Sequence, residues 1–245
     1  MEEETVTKRQ KREMAKETKK REQERNNLIS KLKKWGFLVL ALSLSGYSGL
    51  KFVRWLSAPV SQGEISQDAL GVSDTEWIKG NPTASTTLIE YGDFQCPACA
   101  AYAPIIKKLN EEFNTNLRIV YRHYPLVTIH ANAFDSSRAA EAAGRQGKFW
   151  EMHDVLFAKQ DEWAKDGSPK DKFVAYANEL GLNEEIFLAD FESKEVKDKI
   201  NADILSGNSL AVDSTPTFYL NGSKLLRVSG YESLKSFIQE SIPDN

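Results

Sequence analysis

The apolar positions of this chain fall into three patterns. From Trp35 to Leu50 the run WGFLVLALSLSGYSGL carries no charge and is apolar on every face a helix would present. STTLIEYGDF (85–94) and LRIVYRHYPL (117–126) are short, apolar and β-branched, and read as buried strands, the first ending near Tyr91. Between them, Pro97 to about Phe113 reads as a helix. Pro97 suits the first helical position, where its missing N–H is not needed. Pro104 falls inside that helix, cannot bond back to the carbonyl of Ala100, and predicts a kink. Strand, helix and strand of this length predict a parallel βαβ unit.

The third pattern has helical spacing. Phe149, Met152, His153, Leu156 and Phe157 share one helix face, and so do Phe173, Tyr176, Ala177 and Leu180, with Gly181 as the expected stop. Residues 183–211 read as one or two further helices. PTFYLNGSKLLRV (216–228) reads as two strands around the hairpin pair Asn221-Gly222. Leu234, Phe237, Ile238 and Ile242 give a closing amphipathic helix. The order predicts an α/β domain over 75–245: βαβ, a helical insertion at about 130–212, then ββα. No internal repeat is visible.

Charge gives the apolar run its meaning. Residues 1–34 hold twelve Lys/Arg against seven Glu, a net +5. From Trp55 onward, eighteen Lys/Arg face twenty-eight Asp/Glu, a net −10. An acidic body disfavours nucleic acid as partner. Trp35 to Leu50 would span roughly 24 Å as a helix, and counting on to Leu56 gives about 33 Å, enough for a bilayer core of about 30 Å. Lys51 and Arg54 can snorkel, and Trp35 and Trp55 suit the interfaces. We therefore expect a transmembrane anchor at 35–56 that contacts the lipid bilayer. The rival is a buried soluble helix, which fits poorly beside flanking lysines. The charged segment 1–34 should stay cytoplasmic and the main body should face outward, as a single-pass protein of the cell membrane. Against a cleaved signal peptide stand the long charged region and Pro59 just after the small-residue site LSA. Residues 57–74 read as a linker. An exported body suits persistent disulfides.

Only two cysteines occur, Cys96 and Cys99, within DFQCPACAAYAP (93–104). Zinc needs about four ligands, and His123, His130 and His153 form no paired metal motif. His153 lies on an apolar helix face, where a satisfied core histidine is the plainer reading. A purely structural disulfide would close a very short ring and remove little chain entropy. The chemical reading is stronger. Cys96 precedes Pro97, so it sits at a helix N-terminus, where unpaired N–H groups and the helix dipole favour thiolate. Cys99 is about one turn on and can resolve a mixed disulfide formed at Cys96.

Two further residues bear on this. Glu90 precedes the motif on the incoming strand. Buried, it would move the Cys99 proton; facing solvent, it would be an ordinary strand residue, and both readings stand. Thr215-Pro216 opens the hairpin, where a cis bond would make a tight turn, although sequence alone favours trans.

Together, KGNPTASTTLIEYGDFQCPAC, YRHYPL, GKFWEMHDVLF and STPTFYLNG resemble the DsbA-like thiol–disulfide oxidoreductases of the thioredoxin superfamily, from about residue 75 to the C-terminus. The resemblance implies a thioredoxin fold with a helical insertion. It implies that Cys96 is the exposed nucleophile, Cys99 the buried partner and Glu90 the buried acid. It makes Thr215-Pro216 a cis-proline turn that helps bind substrate. Pro97 and Ala98 would tune the redox potential. Ala98 departs from the histidine of the strongest oxidant in that family, and so points to a less stabilised thiolate.

The expected function is thiol–disulfide exchange that introduces disulfides into unfolded or reduced exported proteins. It needs no bound cofactor, and a membrane redox partner would restore the oxidised pair. A reductase or isomerase of the same fold is the alternative, since related folds span about −270 to −120 mV. A non-catalytic peptide-binding holdase is another, and it would need no activated thiol.

Overall fold

The structure is a computed structural model that describes residues 70–73 and 75–243, together with Arg25. Among the described residues no helix is long and apolar enough to cross a membrane. The expected anchor at 35–56 and nearly all of the charged segment 1–34 lie outside them. The described residues from Leu70 onward form one compact unit.

Its centre is a five-stranded sheet in the order β1-β3-β2-β4-β5. The strands are β1 (Trp77–Gly80), β2 (Thr86–Gly92), β3 (Leu117–His123), β4 (Thr217–Leu220) and β5 (Ser223–Lys224). β2 and β3 are parallel, with Glu90 opposite Tyr121; β4 runs antiparallel to β2, with Phe218 opposite Glu90. Helix α1 (Pro97–Glu112) makes the β2–β3 crossover, so the expected βαβ unit is present. Pro104 lies within α1 as expected.

Both sheet faces are covered, which explains why β2 is buried along its whole length rather than alternating. On one face Leu88, Ile119, Phe218 and Leu220 pack under Ile106 and Leu109 of α1 and under Leu234 and Ile238 of the last helix, α8 (Tyr231–Ser241). The opposite face presents Ile89, Tyr91, Val120 and Tyr219 to Leu210 and Val212.

The insertion between β3 and β4 is helical: α2 (Ala133–Arg145), α3 (Phe149–Ala158), α4 (Gln160–Trp163), α5 (Lys170–Glu179), α6 (Glu184–Glu192) and α7 (Lys194–Ser209). The stretch predicted as one or two helices is two, because Ser193 has an extended backbone and caps α7 by accepting from Val196 N. Gly181 takes a left-handed φ of 74° after α5, as its position predicts. The insertion's core, from Met152 and Trp163 to Phe187 and Phe191, is continuous with Phe94, Cys99 and Tyr121. His153 is buried there, hydrogen-bonded to Asp154 at 2.8 Å.

The structure differs from the sequence reading in three places. β1 was not foreseen: four residues are too few to show alternation, and Trp77 is held by tertiary contacts. It stacks on Phe149 at 4.9 Å, and a Cβ at Gly144 would come within 2.5 Å of its ring. The expected linker does not run to residue 74, because Leu70 and Val72 pack against the sheet and Arg122 donates to the Gly71 carbonyl at 2.7 Å. The hairpin turns at Asn221-Gly222, both left-handed, but its second strand stops at Lys224 rather than 228, and Arg227 takes a φ of 58° that leaves the strand path.

Candidate active site

Cys96 is the N-cap residue of α1, extended at φ −73° and ψ 122°, and its own N–H bonds to Asp93 O at 3.1 Å. Pro97 follows at the first helical position, as predicted. Cys96, expected as the exposed nucleophile, is in fact buried at 7% exposure beneath the Thr215 carbonyl, while Cys99 is buried at 0% as expected; both are free thiols. The Cys99 thiol donates to Cys96, and this is the largest influence lowering the Cys96 pKa to about 5. Burial opposes it, while Thr215 and the backbone amides of Cys99 and Ala98 add to it. Thr215 offers its carbonyl to the thiol form, 3.3 Å from the sulfur; its buried hydroxyl has no hydrogen-bond partner among the described residues.

Cys99 shifts the other way, well above an ordinary thiol. Burial is the main cause, followed by its hydrogen bond to Cys96 and the nearby Glu90. The pair therefore holds one proton on Cys99 and one negative charge on Cys96.

Glu90 settles on its buried alternative. It is 2% exposed, on the α1 side of the sheet, and its pKa is pushed up to about 8, by burial first and then by the charge on Cys96. Thr215-Pro216 is cis, as the resemblance implies and against the trans bond that sequence alone favours. Pro216 lines a surface groove with Tyr102, Phe218, Leu225 and Val228. Pro97 and Ala98 are exposed, and Ala98 reaches Cys96 only through its amide. All seven residues singled out in the sequence are thus placed at or beside one site.

Several residues around it were not singled out. Asp93 is fully buried; it accepts from Gln95 N at 2.8 Å and Leu126 N at 3.0 Å, and pairs with His130 Nδ1 at 2.7 Å. Gln160 of α4 donates to the carbonyls of Phe94 at 2.7 Å and Cys96 at 3.1 Å. Gln95 donates to Ala164 O and accepts from Asn132 N, each at 2.6 Å. The insertion thereby grips the peptide that carries the nucleophile. Asp93 had a local signal, since Asp-x-x at a turn caps its own backbone; Gln160 had none, sitting 64 residues from Cys96. The three histidines are occupied by Glu141, Asp93 and Asp154.

A family model described as thioredoxin matches residues 72–240. The chain belongs to this thioredoxin family. The solved thioredoxin-like oxidoreductase from Silicibacter pomeroyi is 25% identical, with a TM-score of 0.61, covering 71% of this chain and 96% of that one. Wolbachia pipientis α-DsbA1 is 20% identical at a TM-score of 0.64, covering 71% and 94%, and oxidised BdbD from Bacillus subtilis 19% at 0.61, covering 68% and 92%. The last two likenesses concern the fold alone. Among curated proteins, the Na(+)/H(+) antiporter NhaA 1 of Mycolicibacterium gilvum is 35% identical over 190 residues, 76% of this chain and 29% of the antiporter. That of Salinispora arenicola is 38% identical over 165 residues, 67% of this chain and 24% of the antiporter. The chain spans under a third of the length of these relatives, and nothing of antiport is carried over to this thioredoxin domain.

Proposed function

We propose that this chain is a membrane-anchored thiol–disulfide oxidoreductase that introduces disulfides into exported proteins. The observation that carries this is the opposed state of the two thiols: Cys96 is held as thiolate at a helix N-terminus, while Cys99 beside it keeps its proton. A pair of this kind favours the reduced enzyme, and so favours taking electrons from substrate. The anchor at 35–56, the cytoplasmic 1–34 and the outward-facing domain 75–245 belong to this proposal, supported by the charge and hydropathy of the sequence.

In the oxidised enzyme Cys96 and Cys99 are bonded. A substrate thiolate attacks the Cys96 sulfur, the intramolecular bond breaks, and Cys99 leaves with the electron pair and takes up a proton. Glu90, buried beside it and protonated near neutral pH, is placed to supply that proton. A second substrate thiolate then attacks the substrate sulfur of the mixed disulfide, and Cys96 leaves as thiolate. The substrate is oxidised by two electrons and the enzyme reduced by two. Of the two substrate protons, one balances Cys99 and one goes to solvent. A membrane redox partner would reoxidise the pair.

The test is to replace Cys99 with Ser, load Cys96 with glutathione as a mixed disulfide, and look for covalent adducts formed when a thiolate of a reduced exported protein displaces the glutathione, beside a Cys96→Ser control treated the same way. Adducts through Cys96 are expected. Their absence from both variants removes the mechanism, and an equilibrium potential against glutathione near about −270 mV would turn the reading to a reductase.

A further inference from the structure

Tyr121 has no role in the exchange described above, yet its hydroxyl is anomalous. It is buried and has no hydrogen-bond partner in the described structure. Buried hydroxyls are nearly always paired, and one that is not calls for a physical reason. Burying a hydroxyl unpaired is unfavourable, whereas Phe at the same place would carry no such penalty.

The surroundings supply the reason. Tyr121 lies opposite Glu90 in the parallel β2–β3 register, so both side chains leave the sheet on the α1 side. Its ring stacks on Phe94 at 5.1 Å and shares a core cluster with Cys99. The hydroxyl passes over Gly92, where a Cβ would come within 2.7 Å of it. Glycine there leaves the lane open. The ionisable groups that bear on the hydroxyl are, strongest first, Cys99, Glu90, Asp93 and Cys96. The other rings packed on it, from His123, Phe149 and His153, provide no acceptor in reach.

We propose that the Tyr121 hydroxyl is a hydrogen-bond donor reserved for the negative charge that appears at Cys99 when the Cys96–Cys99 bond opens or closes. In the dithiol, Cys99 carries its proton and presents no charge to receive that donor. In the disulfide there is no charge either. Only as the sulfur–sulfur bond breaks does the electron pair reach Cys99, before a proton arrives, and there the burial that raises the Cys99 pKa makes a donor most valuable. A bond made in the transition state and in neither ground state speeds a step in both directions and leaves its equilibrium alone. Tyr121 is thus a third member of the proton-handling site, beside Cys99 and Glu90. This inference rests on the thiol-exchange reading and deepens it.

The test compares Tyr121→Phe with the unsubstituted chain in rapid-mixing exchange with a peptide dithiol. Opening of the oxidised pair, and its re-formation from the mixed disulfide, should each slow about tenfold or more, the effect of losing one hydrogen bond to a charged group. The equilibrium potential should not move. In a Cys99→Ser background, exchange at Cys96 alone should be the same with Tyr or Phe at position 121. The reduced Tyr121→Phe protein should resist urea at least as well as the original, since the group removed was unpaired. Unchanged opening and closing rates overturn the inference. So does equal slowing in the Cys99→Ser background, or a shifted potential. A double substitution with Glu90→Gln should give a total slowing different from the product of the two single effects, because both act on one charge; simple multiplication counts against it. If the unsubstituted chain fails to exchange at all, the oxidoreductase reading fails instead.

Discussion

The strongest prediction concerns the charge on Cys96. Its pKa falls from 9.0 to about 5 in the folded dithiol, chiefly through the hydrogen bond from Cys99. A depressed pKa contributes stability that is complete above the unfolded value and disappears as pH falls through the folded one. The window is therefore pH 9 down to pH 5. At pH 7 the folded protein holds a thiolate where the unfolded chain holds a thiol, and about half the window's effect is present, roughly 3 kcal/mol. The disulfide form has no such term. Converted at about 30 mV per 1.4 kcal/mol, the preference for the reduced form corresponds to about 60 mV in the oxidising direction. Alkylation of the reduced protein should follow a single thiolate with a midpoint near 5. The urea resistance of the reduced form relative to the oxidised one should rise between pH 5 and pH 7. The comparison must be between redox forms, because burial of Glu90 acts in the same window with the opposite sign. A midpoint near 9, or a difference between the forms that does not change with pH, would show that the Cys99 hydrogen bond and the α1 amides do not hold the charge, and the oxidase reading would lose its basis.

Two further predictions test the elements around that charge. Glu90, raised from 4.5 to about 8, binds a proton in the folded dithiol that the unfolded chain releases, so the reduced protein loses stability as pH rises through that window. Glu90→Gln should match the original near pH 4 and exceed it at pH 7 by about 3 kcal/mol in urea unfolding; a gap that stays flat with pH refutes the assignment. Gln160→Ala frees the carbonyls of Phe94 and Cys96, and the alkylation midpoint of Cys96 should rise while the far-ultraviolet circular dichroism stays the same; an unmoved midpoint means that α4 does not position the nucleophile.

The legible parts of this protein were those with local causes. Pro97 and the C-x-x-C spacing fix a helix start, Asn221-Gly222 fixes a turn, and the apolar spacing of Phe149 to Phe157 fixes a helix face; each is a matter of a few adjacent residues. The depth of Glu90 followed from the family resemblance but was not legible in the residue pattern, for a physical reason. A strand covered on both faces loses its alternation, and with it the sign of which side chain points inward. Thr215, Gln160 and Tyr121 join the site through contacts across sheet and insertion, which no periodicity records. β1 was invisible because its stability comes from Trp77 filling the space left at Gly144.

The titration of the three groups forms one cycle. The charge on Cys96 is the second cause of the raised Glu90 pKa, and Glu90 in turn is among the causes that keep Cys99 protonated. Oxidation of the pair removes the Cys96 charge while leaving Glu90 buried, so the acid weakens its hold on a proton only by the part Cys96 supplied. Reduction restores that charge, and Glu90 takes up a proton again at the moment when Cys99 has just received one. Proton affinity at the buried acid thus follows the redox state of the pair, through the same low-dielectric core that makes each separate shift large. A site of this kind needs no bound cofactor to couple a proton to two electrons. It needs a thiolate at the start of a helix, a buried thiol one turn on, and a buried carboxyl on the neighbouring strand, where Glu90 sits between Tyr121 and Phe218 in the sheet register.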